Sequence, residues 1–502
     1  MILPEDRPES PSKLDPPAPA TAAEQQSAPP AYPGHEASGS AANYAIAQPA
    51  LGSAANYGAV QPAPSETQRI VYVPVDIRRG PPAGKRFCRA FTIALLVYFL
   101  LAAITSSIAG LGRGHGWSRV VGIEYEDLNT AQPTAKDGVV LQCIKGPLAW
   151  PIEILPPGPV VKASAFHLDR LADALYVFSR GLFLSGNIVI VQDERIEDLD
   201  EVIVEVTPLH NTLHWLHAVS VCALMRSPQE MGIGIFAPTR WRSRSIPGIE
   251  FEIVVRIPKL PDNEVLQIAR FETNAPHFTQ HIGDLNGTVL FRELSLKSSN
   301  SHISSQSVNA IDAEVMTSNS RIDGHYEVSE SLRLSTSNQI INVTATMVHR
   351  DPELKPGPVL KMKTSNARID SSVNLISALP KMVFGQGGSF VVEANTSNAR
   401  LALDFPSAPV DSRLSLYART SNNNARVQLH PTYEGQFTVK TSKQAATLND
   451  HPVTDPSGRN RTRRVTQYNN KWTYSHGMVL WDGMHMGNVH LETSNGRAEL
   501  DL

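Results

Sequence analysis

Cysteine is scarce in this sequence, with three among 502 residues. Cys88, Cys143 and Cys222 are too few for a disulfide framework or a cysteine-rich metal site. An excess of one charge is also lacking, because 45 Lys and Arg residues face 48 Asp and Glu residues, for a net charge of −3. No overall field therefore attracts nucleic acid, and any attraction to a membrane surface must be local.

The first 86 residues contain too few apolar side chains to form a core. Proline, alanine, serine and glycine dominate residues 1–86, and such a composition predicts a disordered tail. Within the tail, Pro29, Pro30 and Tyr32 form the Pro-Pro-x-Tyr pattern that WW domains bind as a polyproline II strand. The sequence predicts either a WW-domain partner at these residues or a chance match in proline-rich sequence.

A single long uncharged run follows the tail. The 22 residues from Ala90 to Leu111 carry no charge, and a helix of that length spans the ~30 Å hydrocarbon core of a bilayer. We predict a transmembrane helix over residues 87–111 and a linker over 112–140. Five Lys and Arg residues crowd the N-terminal flank, whereas Arg113 and Arg119 are the nearest cations beyond the run. The tail should therefore be cytosolic and the C-terminal part lumenal or extracellular, as in a type II protein of the secretory pathway or plasma membrane.

Candidate modification sites agree with that orientation. The Asn-x-Ser/Thr sequons all follow the predicted helix, at Asn286, Asn342, Asn395 and Asn460. Cys88 lies at the cytosolic edge, where it is either a palmitoylation site or a silent cysteine. Cys143 and Cys222 lie on the oxidising side, where they either form a disulfide bond or remain buried thiols.

Residues 141–262 contain several short runs of alternating apolar and polar side chains, for example 201–206 and 249–258. This period of two is typical of β-strands, so we predict a β-sandwich-like module close to the membrane. One helix is expected over 169–184, because four apolar residues would share one of its faces. These residues are Leu171, Ala174, Leu175 and Phe178.

Two clusters in this module resemble parts of catalytic sites. Asp198 and Asp200 form the Asp-x-Asp pattern with which glycosyltransferases hold a metal and a nucleotide sugar. No alternation of strands and helices surrounds them, so an acidic turn between antiparallel strands is favoured. His210, His214 and His217 would share a helix face and bind Zn²⁺, but a proline precedes them and surface histidines are the favoured interpretation.

A short phrase recurs through residues 263–502. It reads Ser-Ser-Asn at 298–300 and Thr-Ser-Asn from 317, 336, 364, 396, 420 and 493, with a degenerate Thr-Ser-Lys from 441. Strand-like alternation flanks each copy, and asparagine tolerates the left-handed backbone of a sharp corner. Repeated corners of one chemistry predict a parallel β-solenoid whose asparagine side chains stack as a hydrogen-bonded ladder. The alternative is an extended β-sandwich in which the phrase is a frequent turn.

The same phrases carry a resemblance to a known family. Residues 254–258, followed by the phrases TSNSRI, TSNQII and TSNARI, resemble the putative-adhesin domains of unknown function in bacterial and fungal proteins. Residues 172–181, 221–224 and 232–238 are similar to the corresponding part of fungal membrane-anchored members. The resemblance covers roughly residues 140–502. It implies a β-fold and surface adhesion, and it brings no catalytic residues with it.

Function is expected on the outward positions beside the phrase. Five arginines follow copies of the asparagine and predict a basic stripe for an acidic polymer, namely Arg321, Arg368, Arg400, Arg426 and Arg497. We expect a non-enzymatic protein for adhesion or scaffolding that binds cell-wall or acidic polysaccharide or another surface partner, without cofactor, metal or nucleic acid. The alternative is a carbohydrate-active β-helix hydrolase or lyase, which needs converging carboxylates. Its scattered candidates are Asp323, Asp370 and Asp404.

An inserted loop over residues 443–475 interrupts the last repeats. Arg461, Arg463 and Arg464 within it form the Arg-x-Arg-Arg pattern that furin- or kexin-like proteases cut. The alternative interpretation is a solvated basic loop. Because Asn460 directly precedes the motif, glycosylation and cleavage should exclude each other.

Overall fold

The computed structural model describes residues 131–155, 158–209, 216–239, 248–379, 387–481 and 486–502. The predicted tail with its WW-binding motif, Cys88 and the predicted transmembrane helix lie outside these ranges. Within the described ranges, no helix combines the length and the apolar character needed to cross a bilayer.

The described residues are mainly β-strand, with single-turn 3-10 helices at Ala135–Asp137, Pro147–Ala149 and Pro261–Asn263. The strands, in chain order, are β1 Val139–Lys145, β2 Ile152–Leu155, β3 Gly158–Val161, β4 Ser164–Asp169, β5 Ala174–Arg180, β6 Leu184–Asp193, β7 Glu201–Pro208, β8 Ser220–Ser227, β9 Glu230–Phe236, β10 Ile249–Pro258, β11 Leu266–Asn274, β12 Phe278–Asp284, β13 Val289–Lys297, β14 Ile303–Met316, β15 Ile322–Ser335, β16 Ile341–His349, β17 Val359–Lys363, β18 Ile369–Ser377, β19 Ser389–Asn395, β20 Leu401–Ser407, β21 Arg413–Thr420, β22 Ala425–Gln428, β23 Gly435–Lys440, β24 Ala446–Asn449, β25 Arg464–Lys471, β26 Tyr474–Leu480, β27 Gly487–Thr493 and β28 Ala498–Asp501. β2 and β3 form a separate hairpin, and the other 26 strands belong to one sheet.

Most of the large sheet consists of two parallel ladders that meet at the repeated phrase. Strands that run into the phrase form the incoming ladder together with β9, β5 and β11, which precede the first copy. The spatial order is β9, β5, β11, β13, the last parts of β14 and β15, β17, β19, β21, β27 and β23. Strands that leave the phrase form the outgoing ladder together with β10, β6 and β12, which also precede the first copy. The spatial order is β10, β6, β12, the first parts of β14 and β15, β16, β18, β20, β22, β28 and β24. The prediction of a mainly β fold is confirmed, and its large sheet is largely parallel.

The core lies between the two ladders because alternate side chains of both face inward. One inward row of the outgoing ladder is in register across seven strands and consists of Ile303, Ile322, Ile341, Ile369, Leu401, Ala425 and Ala498. Each of these side chains is at most 1 % exposed, and burying one isoleucine or leucine contributes about 2 kcal/mol. The same core cluster runs from Ile144 to Leu502, so packing continues across residue 262.

Antiparallel strands close both ends of the incoming ladder. At one end β8 pairs with β9, and β1 pairs with β8. At the other end β26 pairs with β23, and β25 pairs with β26. Cys143 and Cys222 face each other across β1 and β8 and form a disulfide bond of 2.03 Å.

Chain order and spatial order differ at the C-terminal end of the sheet. β27 lies between β21 and β23, and β28 lies between β22 and β24. The last turn of the chain is therefore inserted between two earlier turns. The inserted loop predicted over 443–475 contains β24, β25 and the start of β26, and its longest stretch without strands is residues 450–463.

The helix predicted over 169–184 is wrong, because this stretch forms β5 and connects it to β4 and β6. Ala174, Leu175, Tyr176 and Val177 are all buried. β5 is covered on both faces, and a strand of that kind has a continuous apolar run instead of the alternation seen in half-exposed strands. Over so short a stretch, such a run also fits one face of a helix.

Candidate functional site

The repeated phrase forms the corner between the two ladders. Its threonine points inward, as at Thr420, which is 0 % exposed and donates its hydroxyl to the Ala399 carbonyl oxygen at 2.9 Å. The backbone N–H of the asparagine donates to the serine carbonyl of the preceding turn, for example from Asn366 to Ser337 at 3.0 Å. The corner thus satisfies its polar groups by bonding to the turn beneath it.

The asparagine side chains of seven copies form one ladder. Each amide Nδ2 donates to the Oδ1 of the preceding copy at 2.6–2.7 Å, in the order Asn319 to Asn300, Asn338 to Asn319, Asn366 to Asn338, Asn398 to Asn366, Asn422 to Asn398 and Asn495 to Asn422. The predicted asparagine ladder is confirmed. The copy with Lys443 follows Asn495, where Ser442 N–H donates to the Ser494 carbonyl at 3.3 Å. The asparagine ladder therefore ends where the phrase degenerates.

Four of the five arginines predicted as a basic stripe share one row. Arg321, Arg368, Arg400 and Arg497 each directly precede the in-register inward row of the outgoing ladder, whereas Arg426 lies two residues further along its strand. All five therefore lie on the outward face of that ladder, since side chains alternate along a strand.

Carboxylates lie beside four of these arginines. Arg321 pairs with Asp323 at 2.9 Å. Asp370 receives both Arg368, at 2.8 Å, and Arg400, at 2.7 Å. The side chains of these three arginines are 53–58 % exposed, so each pair contributes little to stability. The main effect of the two aspartates is to reduce the positive charge of the row.

The fourth pair lies at the edge of the C-terminal turn. Arg426 donates to Asp501 at 2.8 Å, and this hydrogen bond raises the pKa of Arg426. The side chain of Asp501 is only 8 % exposed. The arginine therefore holds a nearly buried carboxylate, which costs free energy when it is left unpaired.

An open groove of about 670 Å³ lies on the outward face of the outgoing ladder, across β15, β16, β18, β20 and β22. Its charged groups are two arginines and two aspartates, Arg400, Arg426, Asp370 and Asp404. Its other outward side chains are a histidine, hydroxyls and amides, namely His325, Asn342, Thr344, Ser372 and Gln428. We refer to it as the Arg/Asp groove. It is electrically neutral and rich in hydrogen-bonding groups.

Sequence reasoning found the arginines of the groove but missed most of its polar residues. Asn342 on β16 was identified only as a glycosylation sequon, and its exposed side chain lines the groove next to Asp370. Thr344, Ser372 and Gln428 were missed because serine, threonine and amides are common throughout the repeats. The signal that would have found them is their position, at alternate residues after the corner.

The other sequons lie on different parts of the surface. Asn286 is exposed in the turn between β12 and β13, and Asn460 is exposed with a left-handed φ of 57°. Asn395 is half-buried at the end of β19, between Lys363 and Arg419 of the neighbouring strands. Only the sequon at Asn342 coincides with the Arg/Asp groove.

The carboxylates considered for hydrolysis lie on three different strands. Asp323 and Asp370 share a row, but the strand of Asn342 lies between them, so they are about 10 Å apart at the backbone. Asp404 pairs in register with Ser372, two residues beyond Asp370. In the described part of the chain, no group of three or more His, Cys, Asp and Glu side chains is placed to hold a metal ion.

The Asp-x-Asp pattern lies at the other end of the sheet. Asp198 and Asp200 form a turn between β6 and β7, where Asp200 pairs with Arg170 at 2.6 Å. β10 separates these two strands in the sheet. His217 is exposed within a 3-10 turn, whereas His210 and His214 lie outside the described residues.

Comparisons with known proteins add little to these observations. No family model matches the chain, and no curated protein matches it either. Among solved structures, the chain is similar to a putative cell adhesion protein from Clostridium sporogenes, at 9 % identity and a TM-score of 0.14. That match covers 68 % of this chain and 99 % of the other. At this TM-score the likeness supports no statement about fold or function.

Proposed function

We propose that this chain is a non-enzymatic adhesion or scaffolding protein whose Arg/Asp groove binds a polysaccharide. The observation that carries the proposal is the neutral, polar surface that runs across five parallel strands. Successive strands lie ~4.8 Å apart, so the groove offers hydrogen-bonding groups at a regular interval along its length. A polymer of repeated hydroxyl-bearing units can use such an array several times over.

A neutral polysaccharide fits the groove better than the acidic polymer expected from the arginines alone. Arg400 already pairs with Asp370, and Arg426 already pairs with Asp501. An anionic ligand would have to approach these carboxylates. A neutral sugar avoids that repulsion, because its hydroxyls can accept from the spare guanidinium N–H groups and donate to the spare carboxylate lone pairs.

The proposal includes a type II membrane topology that places the groove outside the cytosol. The disulfide between Cys143 and Cys222 supports an oxidising compartment, because such bonds are rare in the cytosol. Treatment of the full-length protein with an endoglycosidase should increase its electrophoretic mobility. Unchanged mobility, together with full access of a cytosolic protease to the C-terminal half, would contradict this topology.

Binding to insoluble polysaccharides tests the function of the groove. The full chain should bind neutral polymers such as β-glucan or chitin, and its binding should change little between low and high salt, since few net charges are involved. A double variant, Arg400→Gln with Arg426→Gln, should bind at least tenfold more weakly. Its matched control, Arg333→Gln with Lys361→Gln, removes the same charge from the incoming ladder and should bind normally.

Three outcomes would count against the proposal. Equal loss of binding in both double variants would assign the effect to overall charge. Binding only to acidic polymers such as pectin, with a steep fall in high salt, would restore the basic-stripe hypothesis. An absence of binding to any polysaccharide would remove the proposed function.

A glycan on Asn342 would occupy the same groove and should compete with the ligand. The variant Asn342→Gln removes the sequon and keeps an amide at the groove wall. If Asn342 carries a glycan in the cell, this variant should bind polysaccharide more tightly than the glycosylated protein. Mass spectrometry of the peptide that contains Asn342 establishes which case applies.

A further inference from the structure

The C-terminal turn of the chain is held on both sides by strands that precede it in sequence. β27 pairs along its length with β21 on one side and with β23 on the other. β28 lies in the same way between β22 and β24. At the corner, Asn495 donates to Asn422 at 2.6 Å. A strand that is paired on both sides would lose two rows of backbone hydrogen bonds if it left the sheet.

Packing holds the same turn from within. Val489, Leu491, Ala498 and Leu500 are each 0 % exposed and belong to the main core cluster. Keeping four apolar side chains out of water stabilises the turn in its place between its neighbours. The segment after residue 464 is therefore anchored by its own strands and core contacts, independently of the covalent bond that joins it to the preceding chain.

The basic motif lies just before this segment, and its first arginine is engaged. The Arg461 side chain is 12 % exposed and pairs with Asp455 at 3.0 Å and with Asp411 at 3.5 Å. Its guanidinium lies 5.3 Å from the centre of the Trp481 ring, within the range of a cation–π contact. We call this group of four residues the Arg461 clamp.

The other two arginines of the motif differ in exposure. The side chain of Arg463 is 8 % exposed and donates to Asp450 and to the His451 carbonyl. Arg464 is exposed and begins β25, where it pairs in register with Leu480. A protease that recognises paired basic residues binds an extended substrate whose arginines enter acidic subsites. In the folded chain, Arg461 and Arg463 must leave their carboxylates before they can do so.

We propose that residues 461–464 form a latent processing site, closed by the Arg461 clamp, and that cleavage after Arg464 leaves residues 465–502 seated in the sheet. The hydrolysis breaks the Arg464–Val465 peptide bond and consumes one water, so that Arg464 gains a carboxylate and Val465 an amino group. The co-reactant is an endoprotease with acidic subsites for paired basic side chains. The product is a two-chain protein joined without a covalent bond at this point.

Cleavage of the full chain by a purified protease of this specificity tests the proposal. The wild-type chain should be cut slowly at one site, and Asp411→Asn together with Asp455→Asn should raise the rate at least tenfold. The variant Arg464→Gln in the same background should not be cut there. A matched control, Lys471→Gln, removes an exposed cation of β25 outside the motif and the clamp, and it should be cut at the wild-type rate.

The state of the cleaved protein tests the second half of the proposal. Mass spectrometry should identify a C-terminal fragment of 38 residues, 465–502, that begins with Val465. Under native conditions both fragments should elute together in gel filtration, and they should separate only in denaturant. If the double variant does not fold, the cleavage rate is measured on the single variant Asp411→Asn, in which Asp455 still holds the loop.

Each opposing result contradicts one part of the proposal. If the clamp variants are not cut, or are cut elsewhere, residues 461–464 are not a processing site. If the wild type is cut as fast as the variants, the clamp does not close the site. If residues 465–502 leave the cut protein under native conditions, the interleaved strands do not retain them.

Discussion

The asparagine side chains at the corners form a ladder with a direction. Each amide in the middle donates through Nδ2 and accepts through Oδ1, as Asn366 does with Asn338 and Asn398. Asn300 stands at the first position, where its Oδ1 accepts from Asn319. A carboxylate can replace the acceptor of this first position but cannot replace the donor of a middle one.

We therefore predict that Asn366→Asp destabilises the protein by about 1 kcal/mol, because it loses one hydrogen bond and places a carboxylate against the Asn338 oxygen. Asn300→Asp keeps its acceptor and loses only the exposed 3.3 Å contact of Nδ2 with His277 Nδ1, so it should cost about a few tenths of a kcal/mol. Urea unfolding of the two variants compares these values directly. Equal losses of unfolding free energy in the two variants would show that the donor of a middle asparagine contributes no more than the acceptor of the first.

The Arg461 clamp leads to a pH prediction at the same scale. Hydrogen bonds from Arg461 lower the pKa of Asp455 below its usual 3.8. Because the folded-state pKa is lowered, the contribution of this carboxylate to stability is complete above 3.8 and is lost as the pH falls further. The difference in unfolding free energy between wild type and Asp455→Asn should be constant from pH 8 to pH 5 and should shrink below pH 4. A decline between pH 7 and pH 5 would point to another titrating group.

Residue chemistry also explains which parts of the site the sequence revealed. The asparagine ladder was predictable because one residue type recurs at one position of a repeated phrase. The ion pairs on the outward face of the outgoing ladder were not predicted, although Arg321 and Asp323, and likewise Arg368 and Asp370, stand two apart in the sequence. Their pairing requires both side chains to lie on the same strand face, which the alternation of a strand provides once the strand is known.

At the scale of secondary-structure elements, the inserted C-terminal turn requires the backbones of β23 and β27 to lie in close contact. Gly435 begins β23 with a φ of 147°, and a Cβ there would lie 2.3 Å from the Gly487 carbonyl oxygen. Gly487 begins β27 in the adjacent position. Glycine at both positions allows the backbones of the two turns to approach as closely as pairing requires.

We predict that Gly435→Ala costs about 3 kcal/mol, because the added methyl group meets backbone that cannot move without breaking the pairing. Gly458→Ala is the matched control. Gly458 also has a positive φ, of 69°, but a Cβ there would meet no atom within 4 Å, so only the ~1 kcal/mol cost of the left-handed backbone applies. Hydrogen exchange should show faster opening of β23 and β27 in Gly435→Ala alone.

The position of this turn was difficult to predict, because the spacing of 52 residues between the copies at 441 and 493 does not say where the last copy stacks. One signal was present. Lys443 replaces the asparagine, and a lysine cannot accept a hydrogen bond from the next amide. A copy without the asparagine can stand only at the end of the asparagine ladder. The copy at 493 must therefore stack between the copy at 420 and the degenerate copy at 441.

At the scale of the whole molecule, the repeats predicted that the sheet is parallel, but they did not predict how many strands belong to it. Identical corner chemistry led correctly to parallel pairing between turns. The sequence before residue 262 contains no such corner, so its strands were predicted as a separate module. In the structure β5 pairs with β11 and β6 pairs with β12 in the same parallel sense. Apolar alternation alone identifies a strand but does not identify the strand beside it.

The length of the Arg/Asp groove predicts how many sugar units of a ligand it can contact. Five strands line it, and four spacings of ~4.8 Å give a length of ~19 Å. Affinity for soluble oligosaccharides should rise with each added sugar until the ligand spans this distance and should then level off, because further sugars meet no groove. Isothermal titration with a length series measures this directly, with Arg400→Gln plus Arg426→Gln as the control that lowers the plateau. A single sugar that binds as tightly as the longest oligomer would indicate a small-molecule pocket, and the groove would then not serve adhesion to a polymer.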